Sequence, residues 1–404
     1  MKLRNQLLAL FCLLLFAAFG FFYIRLWVVQ KPFGIILFVS DGMVVSHLSA
    51  ARLYQGGGAE KLGMDGFPHL ALVRNTALDY AVPDSASAAT ALSTGTKVNH
   101  RNVATAPDGT ALKTLLELAR AQGRSVGLVT TGLLADSTPG AFYAHVADSR
   151  DRDRIASQFV DNAALDVALG GGAADFTPEA TGGRRKDGRD LIAELRDKKR
   201  CEVVKTKAEL ERTDTFRSKT LVGFFGPDGL AYSNKLESGS QQPSLTDMVR
   251  RAVEILQANY KGYVLVVDAS LCSQATEGNL GEQALIETLA LDTAITTAAK
   301  YAGASSLIVA VGKHAIGGLT LNGYPPRGDH GVALIGGTAA GYPSLTWNTG
   351  PNGPQAKTEP SAFQTPSALN TAEDVVAIGR GDGSEKLSGF MENTAIFEII
   401  REAL

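Results

Sequence analysis

A chain of 404 residues with 45% hydrophobic content is long enough to bury a large core. Its 39 basic and 41 acidic residues give a formal net charge of -2, which argues against a nucleic-acid partner. Three cysteines are too few for a disulfide framework, although Cys201 and Cys272 leave one pairing open.

The chain opens with Lys2 and Arg4, followed by an apolar run from Leu7 to Ile24 that Arg25, Trp27 and Lys31 close. That run is about as long as a bilayer crossing requires and longer than the apolar core of a usual signal peptide. Residues 1–30 are therefore expected to be an uncleaved signal anchor, with residues 31–404 as one globular domain outside the cytoplasm. Ala17-Ala18-Phe19-Gly20 keeps a cleaved signal peptide as the alternative, with the same compartment for the rest.

From about residue 33, short apolar runs alternate with helical patterns, as in parallel α/β units. Ile35–Val39, Ser125–Thr130, Tyr263–Val267 and Leu307–Val311 read as buried strands. Asp84–Leu92, Leu112–Gln122, Leu245–Asn259, Leu280–Tyr301 and Phe390–Ala403 read as helices. The Gly- and Pro-rich stretch from Gly323 to Thr365 has no helical period and is expected to be loop with short strands. No internal repeat is evident.

Ligands of open α/β sheets bind at the carboxyl ends of the strands. Asp41, the pair Asp136 and Thr138, Asp268, and Lys313 with His314 follow the four strands in turn. Each alone is ordinary loop chemistry. Together with Asp84-Ser85-Ala86 they suggest a site for a metal ion and an anion. Pro83 ends an extended stretch and Asp84 is a competent N-cap, so Ser85 falls in the first helical turn, where free N–H groups and the helix dipole favour an alkoxide or phosphate. The alternative is a plain Ser/Ala-rich helix start.

These segments resemble the alkaline phosphatase family from about Phe33 to Leu404. Ile36-Leu37-Phe38-Val39-Ser40-Asp41-Gly42-Met43 is similar to the first metal-binding strand, with Val44 where the family has glycine. Asp84-Ser85-Ala86 through Gly95 resembles the phosphoserine motif. Asp136-Ser137-Thr138-Pro139 and His145-Val146 through Arg150 resemble the magnesium and phosphate-clamp segment. Asp166 through Gly172, Glu287 through Asp292, and Ser388 through Thr394 match further signatures. The resemblance implies an α/β three-layer sandwich, with a mainly parallel central sheet and helices on both faces.

It also implies residue roles. Ser85 stands as the nucleophile and Arg150, after one extra residue, as the phosphate clamp. Asp41, Thr138 and Asp268 stand as magnesium ligands, with Asp136 placed to hold metal-bound water and Asp268 shorter than the family's glutamate. Magnesium is thus expected. Zinc is not: the first zinc site carries Ser273, Glu277 and Asn370 in its ligand positions, and only glutamate is a useful ligand among them. The second keeps Asp41, Ser85 and His314 but has Lys313 in place of an aspartate, which weakens metal binding. Two outcomes stay open for Lys313: an ammonium that replaces a cation and assists Ser85, or a solvent-facing side chain in a decayed site.

Two functions follow, with a purely structural extracytoplasmic domain as a third reading that explains the substitutions but not the retained Ser85 and Asp41. One is a slow phosphate monoester hydrolase acting through a phosphoserine at Ser85. The other is a pseudophosphatase that binds phosphate esters or other anionic small molecules without turnover. The resemblance also allows a homodimer.

Overall fold

Every residue of β1 (Gly34–Ser40) is buried, so this strand has no solvent face. Its side chains alternate between two apolar clusters. Ile35, Leu37 and Val39 join one with Ala86, Ala89, Leu115, Ile396 and Ile400, and Ile36 and Phe38 join the other with Met248, Val249, Leu291 and Ile295. Helices Ser85–Thr94, Leu115–Ala121 and Asn393–Ala403 thus cover one face, and Leu245–Leu256 and Gly281–Tyr301 the opposite face. The result is a three-layer α/β architecture. The computed structural model describes residues 2–23, 31–41, 43–56, 61–162, 165–197, 199, 201–215, 220–237, 239–322, 327–328, 331–332, 344–352 and 360–404.

Among the described residues, ten strands build the central sheet. Besides β1 these are β2 (His69–Arg74), β3 (Ser125–Leu133), β4 (Val167–Gly171), β5 (Glu202–Val204), β6 (Leu221–Phe224), β7 (Tyr263–Asp268), β8 (Leu307–Gly312), β9 (Val375–Arg380) and β10 (Ser388–Glu392). Their order is β10-β2-β9-β8-β1-β7-β3-β4-β6-β5. All pairings are parallel except those that β9 makes with β8 and β2.

Register brings the site together. Val39 pairs with Asp268, Asp268 with Thr130, and Ser40 with Gly312, so Asp41, Asp268 and Lys313 emerge at one level of the carboxyl edge.

The four strands expected from continuous apolar runs are present. Phe390–Ala403 is not one helix, because Ser388–Glu392 pairs in parallel with β2 at the sheet edge and the helix starts only at Asn393. Leu112–Gln122 narrows to Leu115–Ala121, where Thr114 and Glu117 form a capping box. Strands Leu345–Gly350 and Ser361–Gln364 fall in the expected loop region, most of which lies outside the described residues. All three cysteines are free, so Cys201 and Cys272 do not pair.

Near the N-terminus, Lys2–Tyr23 forms a helix whose Leu3–Tyr23 stretch is long and apolar enough to cross a membrane. Ile24, Arg25 and Trp27 lie outside the described residues. Elsewhere the resemblance signatures act as braces. Glu287 accepts the Ser233 N–H and hydroxyl at 2.7 and 2.9 Å, and Asp292 accepts the Gly63 and Met64 N–H groups at 2.8 Å each.

Candidate active site

Asp84 has extended backbone, and its carboxylate accepts the Ser87 N–H at 2.9 Å, so the helix begins at Ser85. Ala86, Ala88, Ala89 and Ala91 are buried, and small side chains let this helix pack closely against its neighbours. At its far end Gly95 adopts φ +69°, and a Cβ there would lie 2.5 Å from the Phe397 ring. A side chain at this cap would push the two helices apart.

Ser85 Oγ lies 3.1 Å from His314 Nε2, and the same nitrogen lies 3.6 Å from Asp41 Oδ1. Ser85, His314 and Asp41 thus converge at the carboxyl edge. His314 is fully buried, and burial pushes its pKa down to about 4, so it is neutral near pH 7.

Lys313 Nζ donates to Thr138 Oγ1 at 2.9 Å and lies 3.0 Å from Asp41 Oδ2. Its side chain is 4% exposed, so it does not point to solvent. These partners hold the ammonium at Thr138 and Asp41, not at Ser85 or Arg150. Burial works against the ammonium, but Asp41 and Asp268 outweigh it and hold its pKa above the usual lysine value. Burial likewise raises the Asp41 carboxyl, while His314, Lys313 and the Ser273 hydrogen bond bring it below its ordinary value. Removing one partner of a buried pair such as Lys313 and Asp41 costs about 3–5 kcal/mol, because it strands the other charge.

Asp268 Oδ2 accepts from Thr130 Oγ1 at 2.7 Å, and burial pushes its pKa up to about 7. Asp136 caps the short turn Ser137–Gly140 through the Ser137 N–H at 2.8 Å. Ser273 Oγ donates to Asp41 Oδ2. Glu277 is exposed at the end of helix Ser270–Glu277. The Asn370 amide donates to the Pro83 carbonyl at 2.8 Å.

Arg150 is not brought to Ser85. It is exposed and pairs with Asp148 of its own loop at 2.5 Å. Arg152, which the sequence reading passed over, comes within 3.7 Å of Asp136 Oδ1. His47 was also passed over: it is fully buried, feels the Asp41 charge, and burial pushes its pKa down to about 4. Its position six residues after Asp41 was the available signal.

The metals implied by the resemblance can be tested against these donors. Among the described residues, no group of three or more His, Cys, Asp or Glu side chains is placed to hold a metal ion. In the first zinc set, Ser273 and Asn370 direct their polar atoms to Asp41 and Pro83. In the magnesium set, the Lys313 ammonium already uses the Thr138 and Asp41 oxygens. Neither set fits its metal in this arrangement.

A mainly parallel sheet, with a serine at a helix N-terminus and buried carboxylates at its carboxyl edge, makes this an α/β protein with a polar site where open sheets bind ligands. The alkaline phosphatase family model matches residues 34–404, and the chain belongs to that family. Tissue-nonspecific alkaline phosphatase of Gallus gallus is 32% identical over 344 residues, covering 73% of this chain. The chain spans just under two thirds (66%) of that relative's length. Thermus thermophilus alkaline phosphatase has the same fold, with a TM-score of 0.75 at 25% identity, covering 93% of this chain and 92% of that one. Alkaline phosphatase from the Antarctic bacterium TAB5 matches with a TM-score of 0.74 at 23% identity, covering 92% and 98%.

Proposed function

We propose that this chain is a slow phosphate monoester hydrolase, tethered by its N-terminal helix with the globular domain outside the cytoplasm, in which Ser85 attacks phosphorus. The contact of Ser85 Oγ with His314 Nε2 at 3.1 Å, at a helix N-terminus, is the observation that carries this reading. The serine oxygen forms the bond to phosphorus, its proton passes to His314 Nε2, and the ester oxygen leaves as the alcohol after taking up a proton. Water then cleaves the phosphoserine and releases inorganic phosphate. The helix N-terminus favours the phosphate charge. Arg150 reaches the phosphate only after releasing Asp148.

Slowness follows from the same groups. A general base works best with a pKa near the working pH, and His314 at about 4 is far weaker than that. With Lys313 paired to Asp41, the site also offers little net positive charge to a phosphate dianion.

The test is phosphate release from an activated aryl phosphate by the detergent-solubilised full chain. We expect release that Ser85→Ala abolishes. No release above the Ser85→Ala background, with magnesium or zinc supplied, would remove the hydrolase reading.

A second reading, a pseudophosphatase that binds phosphate esters without turnover, is favoured by Ser273 and Asn370 bonding away from the first zinc position. Calorimetry with inorganic phosphate separates it: binding without turnover selects this reading, and no binding removes it.

A further inference from the structure

Asp41 is supplied with protein donors on both of its oxygens. Oδ2 accepts from Lys313 Nζ at 3.0 Å and from Ser273 Oγ, and Oδ1 faces the His314 backbone N–H at 3.4 Å. Lys313 is fixed in turn by Thr138 Oγ1 at 2.9 Å, and the Asp268 charge also acts on it. Asp41, Thr138 and Asp268 form an oxygen set that suits a hard cation. The Lys313 ammonium bonds to two of the three, Thr138 and Asp41.

We propose that Lys313 is the resident cation of this cluster, a covalently attached charge in the place of a dissociable magnesium ion. Three features support it. The lysine stem leaves the carboxyl end of β8 at the level of Asp41, so the head reaches Thr138 and Asp41 while the chain stays buried. Its donor distances of 2.9 and 3.0 Å are those of ordinary N–H···O bonds, whereas magnesium needs oxygens at about 2.0–2.1 Å in octahedral array. A magnesium ion admitted to the same cluster would face the ammonium at short range, with repulsion that the buried setting does not screen. Ser273 completes the exchange, because its hydroxyl gives Asp41 Oδ2 a second donor on the oxygen that Lys313 also uses.

The consequence is a site that keeps its shape when divalent metal is scarce or chelated. It concerns the cation alone and holds whether or not Ser85 turns substrate over, so its test reads metal content and thermal stability instead of activity.

The full chain in detergent is dialysed against magnesium, then against buffer, and its bound metal is measured by mass spectrometry. Its melting temperature is recorded with magnesium and with EDTA. We expect substoichiometric magnesium and one melting temperature in both conditions. Lys313→Ala empties the position while leaving Asp41, Thr138 and Asp268. It should bind magnesium roughly 10-fold or more tightly than the parent chain, within the range by which ligand surroundings alter metal affinity. It should also melt higher when magnesium is present. One magnesium per parent chain, or a fall in its melting temperature on adding EDTA, overturns the proposal. So does a folded Lys313→Ala chain no more responsive to magnesium than the parent. If Lys313→Ala does not fold, Lys313→Met keeps the apolar stem and removes the charge, and the parent-chain measurement still decides.

Discussion

The Asp84 carboxylate joins two segments: Oδ1 accepts the Ser87 N–H at 2.9 Å, and Oδ2 accepts the Arg101 N–H at 2.8 Å. Arg101 has φ +68°, an uncommon conformation for a residue with a side chain, and this hydrogen bond helps hold it there. Asp84→Ala removes both acceptors next to Ser85. It should destabilise the fold by about 1–2 kcal/mol, and Asp84→Asn should cost less. Urea unfolding of the two variants checks this, and equal stability of Asp84→Ala and the parent would refute it.

Gly95 closes the same helix in a left-handed conformation against Phe397. Gly95→Ala forces a Cβ into both a disfavoured φ and the Phe397 ring, at about 1–3 kcal/mol. Differential scanning calorimetry should show a lower melting temperature. Trimming the ring as well, in Gly95→Ala with Phe397→Leu, should make the two losses less than additive.

His145 gives a pH dependence. Nδ1 lies 2.9 Å from the Ala104 carbonyl and Nε2 3.1 Å from Glu117 Oε1, so both ring nitrogens face acceptors and the charged ring is satisfied. The Glu117 hydrogen bond, opposed by burial and aided by Ala104, raises the His145 pKa above its usual 6.5. A raised folded-state value contributes stability that is complete below the unfolded value and is lost as pH rises through the folded one. Stability should therefore decline across the range just above 6.5, and His145→Gln should flatten that decline. Partial exposure of Glu117 keeps the effect small. Chemical unfolding across this range measures it, and identical slopes for parent and variant would count against the assignment.

Arg150 makes its side-chain bonds to Asp148 of its own loop, on the surface. Arg150→Ala should leave stability within about 0.5 kcal/mol of the parent. If Arg150 swings to the phosphate as proposed, the same variant weakens inorganic phosphate binding several-fold by calorimetry. Unchanged phosphate affinity would exclude Arg150 as the clamp and direct attention to Arg152, beside Asp136.

The sheet centre was legible because strands covered on both faces carry unbroken apolar runs, as in Ile35–Val39 and Leu307–Val311. The edge was not. In β2, Leu70 is exposed while Ala71 and Val73 are buried, and β10 leaves Phe390 exposed, so neither strand carries such a run. Their strand character comes from pairing partners distant in sequence. At the site, Asp41, Asp268, Lys313 and His314 were legible as residues following strands. The direction taken by Lys313 was not, because a flexible four-carbon stem reaches solvent or carboxylate equally well until Thr138 and Asp41 are placed. Arg150 failed for the opposite reason: a motif fixes a position in sequence, and Asp148, two residues earlier, captures the side chain first.

Asn370 adds a mechanical point. Its amide holds the Pro83 carbonyl, and its backbone pairs with Ile316, two residues beyond His314. The turn leading into Ser85 and the strand leaving His314 are thereby laced to a single crosspiece. Displacement of one should carry the other, so the serine and histidine keep their spacing.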